Sequence, residues 1–318
     1  MWINEAFAHY FTSLALWEFH GSKKSIVDDY CLEGSKSNCT CYRTIDENLE
    51  FFRVMGFESK MHSVYNQGPL YEEGRAWSSH LGYVYEWGAM FVRMLAGTIG
   101  KTNFQMAMQR YIKRNQYGAV DHERLWFELE HVNPFQKENV TLSTIFNSWI
   151  YKRGVPLLQM SRSNISGSSN ILHLKQIHYS GPDGNSSALS PSVWYIPIRY
   201  ILIHYNNGSY ERTPNTSSVH QYLMRNTSDV LKIKLQGNDD NEMAPVAIFN
   251  VNFTGTYHVG YDEAEWKHIG RVLMQNLSLI PWFDRLQLVE FLKTSIRRKE
   301  VKPYLLLCIG EYIQVCEM

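Results

Sequence analysis

The chain opens with Met1-Trp2-Ile3-Asn4-Glu5-Ala6-Phe7-Ala8, and from Trp2 to Glu18 its apolar and aromatic residues recur at helical spacing. Glu5 offers a hard oxygen donor near the start of this predicted helix, where it could bind a metal ion shared with a neighbouring helix. A lone glutamate at a helix start more often interacts with the helix dipole. His9 follows one turn later on the same face. We weigh a Glu5/His9 metal pair against an ordinary hydrogen-bonded or solvated histidine and prefer the latter.

A second segment, Tyr85-Glu86-Trp87-Gly88-Ala89, lies in another run of helical spacing, Tyr83 to Gly100. The opening stretch resembles W-L-N-E-G-F-A and this one resembles Y-x-K-G-A-x-x-x-x-M-L, both of the aminopeptidase N family of zinc metalloaminopeptidases. The resemblance implies that Glu5 is the third zinc ligand and that Asn4 supports it. It also implies that the Tyr85 hydroxyl stabilises the oxyanion of the tetrahedral intermediate. Trp87 departs from the usual lysine, which bears on local packing or substrate preference rather than on Tyr85.

Further matches to the family follow in order along the chain. They are Phe146-Asn147-Ser148-Trp149 with Gly154-Val155-Pro156, Val193-Trp194-Tyr195-Ile196-Pro197, the stretch from Asn250 to Asp262, and Arg285-Leu286-Gln287-Leu288. After Pro156 the residue pattern changes. Short runs rich in β-forming residues alternate with clusters of Asn, Gly, Ser and Asp, and this pattern predicts a β-sandwich. The predicted strands are Ile171–Ile177, Val193–His204, Val230–Leu235 and Val246–Phe253.

The residues and the resemblance together predict a multidomain α+β chain. Residues 1–155 would be the helical part of a thermolysin-like catalytic domain, 156–258 a β-sandwich, and 259–318 the start of an α-helical C-terminal domain. Helical spacing returns from Glu263, which supports the third assignment.

Two parts of the family pattern are not in this sequence. It contains neither H-E-x-x-H, which would supply two histidine ligands and the general base, nor the G-x-M-E-N segment that grips the substrate's free amine. The pair His122-Glu123 lacks a second histidine at the required spacing and predicts an ordinary helix start. Because Glu5 alone would hold the implied Zn²⁺ weakly, we expect these 318 residues by themselves to be inactive. We also expect the natural N-terminus to lie upstream of Met1.

Two functional interpretations stay open. In the first, the chain is a stretch of a zinc aminopeptidase that takes peptide substrates through their free N-terminus. In the second, it is a truncated homologue that acts as a peptide-binding or interaction module without catalysis. We favour the first, because a domain boundary rarely cuts a ligand-bearing helix. The oligomeric state is left open, and the helix of the opening stretch is expected to expose apolar residues, as Phe7, Phe11, Leu14 and Trp17 suggest.

The charge balance excludes one class of function. Lys+Arg 31 equals Asp+Glu 31 and no basic run is interleaved with aromatics, so nothing favours binding to nucleic acid. Nine N-x-Ser/Thr sequons, where about three are expected by chance, predict a chain of the secretory pathway, extracellular or a plasma-membrane ectodomain. Any membrane anchor would lie outside this chain. The sequons are at Asn38, Asn139, Asn164, Asn185, Asn207, Asn215, Asn226, Asn252 and Asn276.

Five cysteines fit an oxidising compartment but leave one without a partner in the chain. Cys31 could pair with Cys39 or Cys41 in a small loop. Cys308 and Cys316 could pair with each other or with residues outside this sequence. A zinc site built from the first three is disfavoured, because they lack a fourth ligand nearby.

Overall fold

The computed structural model describes residues 2–21, 69–70, 81–163, 169–179, 192–206, 208–212, 219–234 and 244–310. Five α-helices precede the strands and three follow them within these ranges. They are α1 (Trp2–Gly21), α2 (Leu81–Ile99), α3 (Lys101–Arg114), α4 (His122–Leu129), α5 (Leu142–Ile150), α6 (Glu263–Gln275), α7 (Trp282–Arg297) and α8 (Tyr304–Gly310). Short 3-10 helices cover Glu130–Val132, Gln136–Glu138, Val251–Phe253 and Leu277–Leu279.

Eight strands in the described residues form two four-stranded sheets. They are β1 (Pro156–Arg162), β2 (Ser169–His178), β3 (Ile196–Asn206), β4 (Ser209–Arg212), β5 (His220–Met224), β6 (Ser228–Lys234), β7 (Val246–Phe249) and β8 (His258–Tyr261). One sheet has the order β6-β2-β1-β8, with β8 parallel to β1 and the other pairs antiparallel. In the other, β3 pairs antiparallel with β4, β5 and β7. Strand pairing therefore extends to Tyr261, beyond residue 258, where the sequence predicts that the β-sandwich ends.

The chain is a mixture of helices and two sheets, as its periodicity predicts. Two strand predictions are wrong at one end: the run Val193–His204 becomes a strand only at Ile196, and the run Val246–Phe253 stops as a strand at Phe249. Asn250 takes a left-handed conformation (φ 60°), and its side chain closes a loop. The amide of Asn250 donates to the carbonyls of Gly255 and Tyr257 at 3.0 Å, and its oxygen accepts the Gly255 N–H at 2.8 Å. These contacts end the strand, because a buried asparagine must find hydrogen-bond partners.

The pair His122-Glu123 begins α4, so the prediction of an ordinary helix start is confirmed. Asp121 caps that helix by accepting the Arg124 N–H at 2.9 Å. The His122 ring forms a 2.8 Å hydrogen bond with the Tyr151 hydroxyl, and burial lowers its pKa.

The expected exposure of α1 is wrong at Phe7, which is 8% exposed and stacks on Phe104. Phe11 is 42% exposed and Leu14 is half-buried. The Trp17 side chain lies outside the described residues, as do Cys31, Cys39, Cys41, Cys316 and the Cys308 side chain.

The helical segment is joined to the strands by hydrogen bonds between two of the matched motifs. Trp149 donates its indole N–H to the Tyr195 carbonyl at 2.7 Å, and Ser148 Oγ accepts the Tyr195 N–H at 2.9 Å. Both Trp149 and Trp194 are completely buried. The end of α5 and the start of β3 are thereby held together by packing and directional bonds.

A buried ion pair fixes α6 to the first sheet. Arg162 at the end of β1 binds both carboxylate oxygens of Glu265, with Nη2 3.0 Å from Oε2. The Glu265 side chain is 1% exposed. Burial raises the pKa of this carboxyl, but the neighbouring His268 ring and the Arg162 guanidinium outweigh burial and hold the pKa below its usual value.

We predict that Glu265→Gln destabilises the fold by about 3–5 kcal/mol, because it leaves the Arg162 charge buried without a counter-charge. Urea unfolding monitored by tryptophan fluorescence measures the change. Glu290→Gln is the matched control, since Glu290 pairs with Lys293 at a half-exposed surface position. Equal stability losses in the two variants would contradict the prediction.

Candidate functional site

The geometry of the site begins with the close crossing of α1 and α2 at Ala6 and Gly88. A Cβ added to Gly88 would lie 2.5 Å from the Ala6 Cβ and 3.1 Å from its Cα. Real Cβ atoms do not approach this closely, so only glycine fits at position 88. Small residues on both helices let their backbones come together, and the neighbours of Ala6 and Gly88 are brought into contact.

That crossing brings Glu5 and Tyr85 together. The Glu5 carboxylate lies beside the Tyr85 hydroxyl as a possible hydrogen-bond acceptor, and this interaction, partial burial and the negative charge of Glu5 raise the pKa of Tyr85. Both side chains are half-buried. The phenol therefore stays protonated at neutral pH and can donate a hydrogen bond, while the carboxylate can accept one or bind a cation.

His9 lies on the same side of α1 as Glu5. Its ring meets the Tyr85 ring edge-on, with centroids 6.3 Å apart and an interplanar angle of 73°. Asn4 is exposed at the start of α1. Across the part of the chain that the structure describes, no cluster of three or more His, Cys, Asp or Glu side chains could hold a metal ion. Glu5 suits the role of one metal ligand, and the described residues do not complete a metal site.

Aromatic packing beneath this surface holds both helices in place. Trp2 is 1% exposed and meets Phe91 edge-on, with centroids 5.5 Å apart. Trp87 is completely buried and contacts the same Phe91 at 6.1 Å. The tryptophan that stands at position 87 in place of the family's usual lysine therefore packs in the core of this structure.

The other end of α2 is bound to the strands and to α7. Arg93 donates to the Asn252 carbonyl at 2.6 Å, and the Thr98 carbonyl accepts a 2.9 Å hydrogen bond from Gln221. A Cβ added to Gly97 would lie 2.9 Å from the Thr254 Cβ. The Asn252 N–H donates at 2.6 Å to the buried Asp284 carboxylate on α7. The helix that carries Tyr85 is thus anchored at its far end as well as at Gly88.

Reasoning from the sequence named Glu5 and Tyr85 but missed the residues that bring them together. Gly88 was noted as part of a motif, and its approach to Ala6 was not anticipated. The available signal was the pairing of two small residues, Ala6 and Gly88, each three residues or less from a proposed functional side chain within an apolar helix.

Parts of this chain match a known protein family and several known aminopeptidases. Residues 1–149 match the model of the peptidase family M1 domain. Endoplasmic reticulum aminopeptidase 1 of Mus musculus is 22% identical over 332 residues, covering 96% of this chain and 31% of that protein. Aminopeptidase N of Rattus norvegicus is 26% identical over 212 residues, covering 64% of this chain and 19% of that protein. Aminopeptidase Q of Homo sapiens is 24% identical over 211 residues, with 65% and 19% covered.

Residues 1–149 are thus similar to the M1 peptidase domain, and the chain is similar to parts of these aminopeptidases, as the resemblance of its motifs predicts. The chain spans less than a third of the length of these curated relatives.

We predict that Gly88→Ala destabilises the fold by about 1–3 kcal/mol, because the added methyl group meets the backbone of α1 and must push the helices apart. The same separation should lower the raised pKa of Tyr85 toward its ordinary value. Urea unfolding measures the first effect, and NMR titration of ring-labelled tyrosine measures the second. Gly118→Ala is the control, since a Cβ there lies 3.6 Å from its nearest neighbour, the Asn115 oxygen. Similar behaviour of the two variants would refute the crowding argument.

Proposed function

We propose that this chain supplies one metal ligand, Glu5, and one oxyanion-stabilising hydroxyl, Tyr85, to a zinc-dependent aminopeptidase that removes N-terminal residues from peptides. The observation that carries the proposal is the contact between these two side chains, which were selected from motifs far apart in the sequence. A metal ligand and a donor to the reacting carbonyl must lie within one substrate's reach, and neighbouring helices satisfy that requirement here.

Each side chain has one task in this proposal. Zinc, when bound, polarises the scissile carbonyl and lowers the pKa of its water. Glu5 would contribute one oxygen ligand together with two histidines of an H-E-x-x-H segment, which this sequence does not contain. Tyr85 would donate its proton in a hydrogen bond to the carbonyl oxygen as negative charge develops there.

The 318 residues by themselves would not carry out this reaction. They offer a single one of the three protein ligands that a catalytic zinc requires and no glutamate placed as the general base of that motif. The thermolysin-like character of residues 1–155 is part of the same proposal, supported by the match of residues 1–149 to the M1 domain.

We further propose that the protein enters the secretory pathway and carries N-linked glycans. The excess of sequons supports this, and one relative is named for the endoplasmic reticulum. No helix among the described residues is long and apolar enough to cross a membrane. Asn139, Asn226 and Asn276 are exposed, whereas Asn252 is half-buried, with its peptide group held between Arg93 and Asp284. The other five sequons lie outside the described residues.

The catalytic proposal predicts that Tyr85→Phe lowers kcat by about 10²–10³-fold in a protein that contains the H-E-x-x-H segment, with zinc content unchanged. Hydrolysis of an aminoacyl p-nitroanilide and metal analysis measure the two quantities. Tyr111→Phe is a matched control, because Tyr111 is a buried tyrosine on α3. Unchanged turnover in Tyr85→Phe would end the assignment.

The glycan proposal predicts that occupancy at Asn139, Asn226 and Asn276 exceeds occupancy at Asn252. A glycan needs open solvent around the amide nitrogen, and Asn252 is half-buried, with its peptide group held between Arg93 on α2 and Asp284 on α7. Mass spectrometry after deglycosylation in ¹⁸O-labelled water measures occupancy on protein secreted from its own cells. Full occupancy at Asn252 with empty exposed sequons would contradict the argument from exposure.

A further inference from the structure

His9 is a residue that the proposed mechanism does not use, although it lies beside the site. It follows Glu5 by one helical turn, and its half-buried ring packs edge-on against the Tyr85 ring at 6.3 Å and 73°. Edge-to-face contacts of this kind are attractive and directional, because the positive edge of one ring faces the negative face of the other.

The ring of Tyr85 is thus held by an aromatic neighbour, at a place separate from its hydroxyl. A hydroxyl that stabilises an oxyanion on the substrate must point its single proton at the substrate oxygen. The contact with His9 does not compete with that hydrogen bond, because it uses the ring and leaves the hydroxyl free to turn.

We propose that His9 is a positioning residue for Tyr85: its ring holds the phenol in place while the hydroxyl donates its hydrogen bond to the substrate oxygen. This inference rests on the proposed function of Tyr85. It differs from the Glu5/His9 metal pair considered from the sequence, because it assigns the His9 ring to an aromatic contact rather than to a cation.

The first test uses the chain as it stands, without metal or substrate. Proteins labelled with ¹³C at the tyrosine rings are compared by NMR, and the Tyr85 signal is assigned by its loss in Tyr85→Phe. His9→Ala should move the Tyr85 signal toward that of the fully exposed Tyr117. His9→Phe preserves an aromatic edge and should retain the wild-type signal.

The second test uses the metal-loaded enzyme that contains the upstream segment. His9→Ala should lower kcat by roughly 10- to 100-fold with KM and zinc content nearly unchanged, because a misplaced donor weakens the transition state more than substrate binding. His9→Phe should restore most of the loss. His131→Ala is the matched control, since His131 meets Phe127 in the same geometry, 6.2 Å and 72°, at an exposed position.

Each outcome decides a different point. An unchanged Tyr85 signal in His9→Ala overturns the positioning role, whatever the activity. Loss of zinc in His9→Ala also overturns it, because His9 would then act as a ligand. If Tyr85→Phe retains full activity, the proposed function fails, while the NMR comparison still reports whether His9 holds the Tyr85 ring.

Discussion

The contact between Ala6 and Gly88 is the constraint on which the described site depends. Two helices can approach this closely only where both carry small side chains, and here the point of closest approach is next to Glu5 on one helix and one turn from Tyr85 on the other. Larger residues surround the contact and fill the core beneath it, with Trp2 and Trp87 packed on Phe91. Small residues set the distance between the helices, and large residues prevent them from sliding.

A second constraint operates where α2 meets the strands and α7. The peptide group of Asn252 is held from both sides, by Arg93 at its carbonyl and by Asp284 at its N–H. Asn252 itself is left-handed, with φ 57°, and its neighbour Asn250 closes the preceding loop through its side chain. Three parts of the chain therefore meet around one short, irregular segment. Such a segment is specified by hydrogen bonds together with the burial of Val251 and Phe253.

The sequence predicts the elements well and their junctions poorly. The helices Trp2–Gly21 and Leu81–Ile99 follow from apolar residues at helical spacing, and four of the eight described strands, β2, β3, β6 and β7, follow from short β-rich runs between turn residues. The strand after Val246 is predicted too long, because its end depends on hydrogen bonds from Asn250 that periodicity does not reveal. Glu5 and Tyr85 can be named from motifs. Their contact cannot, because it depends on the packing of helices that are distant in the sequence.

Helix α2 carries Tyr85 near one end and Gly97 near the other, where Thr254 lies against it. At 1.5 Å per residue these two positions are about 18 Å apart. A tilt of about 3° about Thr254 would carry the phenol through about 1 Å, and the contact of Gly88 with Ala6 opposes that movement. Alignment of the Tyr85 hydroxyl therefore depends on a contact about 18 Å away as well as on the nearby helix crossing. Substitutions at Thr254 or Asn252 could therefore shift the position of Tyr85 without changing any residue of the site itself.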